Sequence, residues 1–299
     1  MKKSKKRFSN DNVGIWFVLP AFIYMMIFVG YPIIQNIILS FQDVDAGNLV
    51  SGLKNFVMLE NYTELAGDRI FRNALFNTLS YTILCLVFQF LIGFVLALFF
   101  SQKFTLAKPV RGILLVPWMI PMTVTALMFK LLFATDIGVI NFLLKSMNLI
   151  SENIEWLTTP GTAMFALVCA NVWIGIPFNM ILISTGLTTI PKELYESASI
   201  DGAGKVQTFF SITLPLLKPT IESVLILGFI YTFKVYDLVY VMTGGGPVNS
   251  THMLSTYSYK LSFEMFKYSK GSAVANVLLL ILLVVGLFYI KVTTEGEED

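Results

Sequence analysis

Histidine is nearly absent from this 299-residue chain, which holds one, and cysteine occurs only twice. A lone His252 cannot assemble a catalytic or metal-binding cluster and reads as a surface residue. Cys85 and Cys169 both fall in apolar stretches and read as small core residues, with no CxxC, zinc spacing or disulfide framework. No HExxH and no nucleophile elbow occurs, so an enzyme is not indicated. The GxxxxGK[ST] phosphate loop is missing too, because Gly204-Lys205-Val206 lacks both the upstream glycine spacing and the hydroxyl. The chain is therefore not itself an ATPase. Charge is also scarce, at 13% of residues, and the net value of +2 gives no reason to expect nucleic acid as a partner.

What is abundant is apolar surface, at 56% of residues, which points to a polytopic membrane protein. Six stretches are long and apolar enough to cross about 30 Å of hydrocarbon: 13–40, 73–100, 110–133, 162–187, 220–242 and 271–292. The first is too long for a signal peptide and is interrupted by Gly30-Tyr31-Pro32 instead of a cleavage site, so it reads as a retained helix. Residues 1–12 and 293–299 are short polar tails, and 13–292 form one transmembrane unit. With both termini inside, twelve of the 21 Lys and Arg residues fall on the cytoplasmic side and seven on the outer side, the remaining Lys130 and Lys234 lying within spans. That bias places the loop between the fourth and fifth spans in the cytoplasm.

This loop, Pro191 to Pro219, is amphipathic where its neighbours are uniformly apolar. Pro191 opens a helix at no hydrogen-bonding cost, and Glu193 and Glu196 suit the positive end of its dipole. Gly202 and Gly204 then break it. A second helical piece carries Phe209, Ile212 and Leu216, with Pro215 and Pro219 leading into the next span. The series Glu196-Ser197-Ala198, Asp201-Gly202-Ala203, then Phe210, Ile212, Leu214 and Pro215, resembles the cytoplasmic EAA loop of the membrane subunits of bacterial ABC importers. Ser197 stands where that motif has its first alanine, a small-for-small exchange. The resemblance implies an all-α permease fold with six transmembrane helices. Its loop, Glu193 to Ala203, would form a coupling helix seated on a separate ATPase.

The same resemblance implies the partners: two copies of an ATPase subunit carrying ATP and Mg, a second permease, an extracytoplasmic solute-binding protein and membrane lipid. No cofactor belongs to this chain. Asn171-x-Trp-x-Gly-x-Pro177 and the exit Thr243-Gly-Gly-Gly-Pro247 resemble the larger permease of maltose and related importers. That resemblance implies a carbohydrate solute: a sugar, an oligosaccharide or a related polyol such as a glycerol phosphate. By the same resemblance, Asn171, Gly175 and Phe178 on the fourth span and Gly228, Tyr231, Thr232 and Val235 on the fifth are the expected substrate path.

Two readings stay open. Asn171 either meets solute or only bonds a neighbouring helix. Lys234 and Asp237, three apart, either neutralise each other as an intramembrane ion pair or leave Lys234 free for an anionic or hydroxyl-rich solute. Two other functions also fit a six-span chain: an ion-coupled secondary transporter, and a membrane scaffold without transport.

Overall fold

The computed structural model describes residues 10–50, 54–102 and 105–298. The basic residues expected at the cytoplasmic N-terminus, Lys2 to Arg7, and Lys103 lie outside them. The described fold is helical apart from a two-stranded antiparallel ribbon in which Gln42–Asp43 pairs with Asn55–Phe56. Among the described residues, five helices have the length and composition of membrane spans: Ile15–Ser40, Arg69–Ser101, Pro160–Thr189, Lys205–Phe233 and Tyr268–Lys291. A bent pair, Pro109–Met119 and Met122–Leu132, makes the sixth if it is one span.

Four expectations change in detail. The 110–133 stretch bends by 95° between its two pieces. Ile120 is extended, at ψ 133°, and Pro121 caps the second piece; the residue before a proline is driven out of the helical region. Gly30-Tyr31-Pro32 does not interrupt the first span, because a π-helical turn at Met26–Gly30 carries the helix on to Ser40. The fifth span begins at Lys205, well before residue 220, since a second π-helical turn at Phe209–Thr213 leads into Pro215 without a break. Both π turns precede a proline whose missing N–H has already removed a bond from the ladder. Residues 293–298 are no separate tail, as the last helix continues to Glu298.

The second, fourth and fifth spans form the centre. Tyr81 and Cys85 of the second span pack with Ala166, Leu167 and Ala170 of the fourth, the small residues allowing close approach. Further along, Ala97, Phe100, Met180, Ile183 and Val224 make a second cluster among the same spans. The first span meets the bundle near its end, where Asn36 donates to Asn276 of the last span at 2.7 Å. Asn61 fixes the chain beyond it, donating to the Ser40 and Gln42 carbonyls at 2.9 and 2.8 Å.

His252 is not a surface residue. It is 3% exposed, packed over Gly245 in the turn that follows Thr243, with Nδ1 3.2 Å from the Thr256 hydroxyl and Nε2 3.5 Å from the Lys260 ammonium. Burial first, then the Lys260 charge, lowers its pKa from the ordinary 6.5 to about 4. The fold thus favours neutral imidazole. Below pH 6.5 the unfolded chain takes up a proton that the folded chain refuses, so this contribution to stability is complete above that value and is lost as pH falls towards about 4. The thermal midpoint of the purified protein should decline through this window, and His252→Gln should remove that part of the slope. An unchanged slope would show that His252 titrates alike in both states.

Candidate functional site

The loop after the fourth span folds as a helix, Lys192–Ile200, whose end is closed by two backbone bonds. Ala203 N–H donates to the Ala198 carbonyl at 2.9 Å and Gly202 N–H to Ser199 at 3.2 Å. That pattern requires a left-handed residue at Gly202, which has φ 77°. Glycine adopts this conformation without strain. Ala198 is buried beneath the helix, whereas Glu193, Glu196, Ser197, Asp201 and Gly202 are exposed and Ala203 is half-buried. Exposed apolar groups flank the carboxylates: Ile200 is 87% and Val206 72% exposed. The helix is tied back by Tyr195, whose hydroxyl lies 3.1 Å from that of Thr213 on the fifth span. Neither residue was singled out by sequence; a tyrosine on an amphipathic helix gives no sign of which hydroxyl it will meet.

At the other end of the fifth span is a cleft of about 490 Å³. All seven residues expected in a substrate path, Asn171, Gly175, Phe178, Gly228, Tyr231, Thr232 and Val235, line it. So do Lys234 and Asp237, together with Gln89, Trp118 and Tyr236. Gln89 of the second span carries the main polar contact. Its Nε2 donates to Asn171 Oδ1 at 2.6 Å and to the Asn171 carbonyl at 3.1 Å. Asn171 therefore makes the interhelical bond and also borders the cleft. A Cβ on Gly175 would run into the Gln89 carboxamide, so glycine is what admits that side chain between the helices. Gln89 could have been suspected as an amide inside an otherwise apolar helix, but its partner is 82 residues away.

Lys234 and Asp237 form no ion pair among the described residues. The helix ends at Phe233, and a new one starts at Asp237 after Tyr236 takes φ −130° and ψ −63°. Three-residue spacing puts two groups on one face only while the helix continues. Lys234 instead sets its ammonium 5.2 Å from the centre of the Tyr231 ring, and Asp237 occupies the first turn of the next helix, where the dipole favours a carboxylate. Ser255 donates to the Val235 carbonyl and Lys130 Nζ to that of Val241, at 3.1 Å in the second case. The Val235 carbonyl within the break thus has a partner, and the Val241 carbonyl at the end of the next helix has another.

Aromatic rings form the rest of the lining. Phe178 stands between Trp118 and Tyr231, with ring centres 6.3 and 5.9 Å apart, and Tyr231 is 61% exposed. Such a cleft offers flat apolar faces rimmed by hydroxyl, amide and charged groups, a combination suited to a polyhydroxylated ring.

Residues 89–292 match the family described as binding-protein-dependent transport system inner membrane component. The chain is 33% identical over 290 residues to the trehalose/maltose transport system permease protein MalF of Thermococcus litoralis, covering 97% of this chain and 96% of that one. It is 34% identical over 281 residues to the sulfoquinovosyl glycerol transport system permease protein SmoG of Agrobacterium fabrum, covering 94% and 90%. Its fold superposes with a TM-score of 0.80 and 25% identity on a chain of a bacterial ABC transporter involved in the import of the acidic polysaccharide alginate, covering 95% and 96%.

Proposed function

Because this chain belongs to the binding-protein-dependent transport system inner membrane components, the membrane subunits of ABC importers, we propose that it forms with a second permease the path by which a carbohydrate crosses the membrane. The observation that carries the reading is that a single helix, Lys205–Phe233, begins at the exposed loop helix and ends in the aromatic cleft. At 1.5 Å per residue its length is about 43 Å, the thickness of a bilayer with its headgroups. A rigid element of that length turns a displacement at one end into a movement at the other.

In this mechanism Glu196 meets a basic group of a partner ATPase, of which the complex holds two, and Ile200 and Val206 fill its groove. ATP and Mg sit on those partners. Their closure moves Glu193 to Ala203 as a unit, since Ala198 and Tyr195 fasten the helix to the bundle. The spans rock, and the cleft alternates between the two sides of the membrane. Both termini and the loop helix face the cytoplasm, while an external binding protein delivers solute to the opposite side. In the cleft, Phe178 and Tyr231 take the faces of the sugar, and Asn171, Thr232, Lys234 and Asp237 its hydroxyls.

The test is gentle purification of the tagged chain from its native membrane, followed by mass spectrometry of what comes with it. An ATPase and a second permease are the expected companions. Isolation of the chain alone under several mild detergents, with solute flux driven by an ion gradient, would overturn the reading. Within the cleft, Tyr231→Ala removes the most exposed ring and should reduce sugar uptake by up to about tenfold, the equivalent of one stacking contact. Tyr231→Phe should retain most of it. Equal loss in both variants would assign the role to the hydroxyl.

A further inference from the structure

Behind the loop helix lies a second cavity, of about 540 Å³, which shares no lining residue with the aromatic cleft. Ser101 and Gln102 at the end of the second span form one wall and Leu187 of the fourth span another. The loop helix contributes Tyr195 and Ser199, and the start of the fifth span contributes Lys205, Thr208 and Phe209. On the helix Lys192–Ile200, Tyr195 and Ser199 stand on the face opposite Glu193, Ser197 and Ile200. A partner seated on that exposed face leaves the cavity unfilled.

The lining selects a ligand class. Lys205 forms no ion pair among the described residues, and no Asp or Glu lines the cavity beside it. The only charge is therefore positive, and it favours an anion. Ser101 and Thr208 donate to the Leu98 and Gly204 carbonyls at 2.7 and 3.1 Å, so their oxygens keep lone pairs for the hydroxyls of a ligand. Gln102 both donates and accepts, and Leu98, Leu187 and the Phe209 ring add apolar wall. A bare phosphate would meet Lys205 and leave most of the volume empty. A neutral sugar would gain nothing from the ammonium. A sugar bearing a phosphate meets both, and the volume is within the usual range for small-molecule sites.

Position gives the consequence of binding. Tyr195 already ties the loop helix to Thr213 of the fifth span, whereas the cavity separates it from the end of the second. We propose that this cavity binds a phosphorylated sugar, which bridges the second span to the loop helix and restrains the movement on which transport depends. The site stands on its lining; its effect rests on the mechanism above. Phosphorylation of an imported carbohydrate in the cytoplasm yields this class of compound, so the site slows import when that product accumulates.

The experiment is equilibrium dialysis of radiolabelled glucose 6-phosphate against the purified complex, with inorganic phosphate and glucose as competitors. Glucose 6-phosphate should bind, inorganic phosphate should compete at least about tenfold more weakly, and glucose should not compete. Lys205→Gln should weaken binding about tenfold, the equivalent of one charge-assisted contact, and Lys205→Arg should keep most of it. Ser101→Phe, which fills the cavity from the second span, should abolish it. In proteoliposomes, ATP hydrolysis should fall over the same concentrations, and Lys205→Gln should shift that range by the same factor. Binding that survives both Lys205→Gln and Ser101→Phe belongs to another subunit and would overturn the proposal. Equal competition by inorganic phosphate, or binding without any effect on hydrolysis, would overturn it too, with import left standing. If the chain is isolated without an ATPase, the dialysis still reports on the cavity, so failure of the transport reading is seen separately.

Discussion

Glu196→Ala combined with Gly202→Asp is expected to abolish ATP-driven uptake while the protein still folds and inserts. Both residues are exposed and neither touches the central clusters, so the bundle has no reason to loosen. The effects are local. At φ 77° an aspartate is held in the left-handed region, at a cost of about 1 kcal/mol or more, and the paired bonds of Gly202 and Ala203 that close the loop helix are weakened. On the proposed mechanism, loss of the Glu196 carboxylate leaves a basic group on the partner without its counter-charge, for which about 2–5 kcal/mol is usual when such a pair is buried. Together these exceed the roughly 1.4 kcal/mol that corresponds to a tenfold change in an equilibrium. The measurement is uptake and ATP hydrolysis in the same proteoliposomes. Hydrolysis should persist without stimulation by loaded binding protein, and uptake should fall by more than about tenfold. Normal uptake would remove the loop helix from the mechanism.

Gly175→Leu, on the fourth span where it lines the cleft, should have an effect of similar size. The new side chain needs the volume that the Gln89 carboxamide fills, so either the second and fourth spans separate or Gln89 leaves Asn171. Overpacking of this kind typically costs about 1–3 kcal/mol, and the displaced amide loses its partners in an apolar setting. Transport should be lost even where the complex is recovered intact by size-exclusion chromatography. Gly175→Ala should be intermediate, and adding Gln89→Ala to it should relieve part of that loss by vacating the contested space. If Gly175→Leu transports normally, the close approach of these two helices is not needed for the cleft.

The partial legibility of the site follows from what helical spacing can convey. Asn171, Gly175 and Phe178, expected from the resemblance to the maltose-type permeases, all border one cleft because a continuous helix repeats its face every three to four residues. The same rule misled at Lys234 and Asp237, where the helix stops between them. Gln89, Tyr195 and Thr213 were missed because their significance lies in partners on other segments. His252 was misplaced outside because a histidine in a polar turn gives no sign that Gly245 will leave room beneath it.

Composition and apolar run length by themselves determined a helical membrane protein, and the residues from Glu196 to Pro215 determined the importer family, since both are properties of consecutive residues. The tertiary structure alone decided that the 110–133 stretch bends, that one continuous helix runs from just after the loop helix to the cleft, and that Lys234 faces a tyrosine ring instead of Asp237. The reason is physical: local sequence governs which backbone bonds can form, whereas the groups that meet across helices depend on where those helices end and how closely their backbones approach.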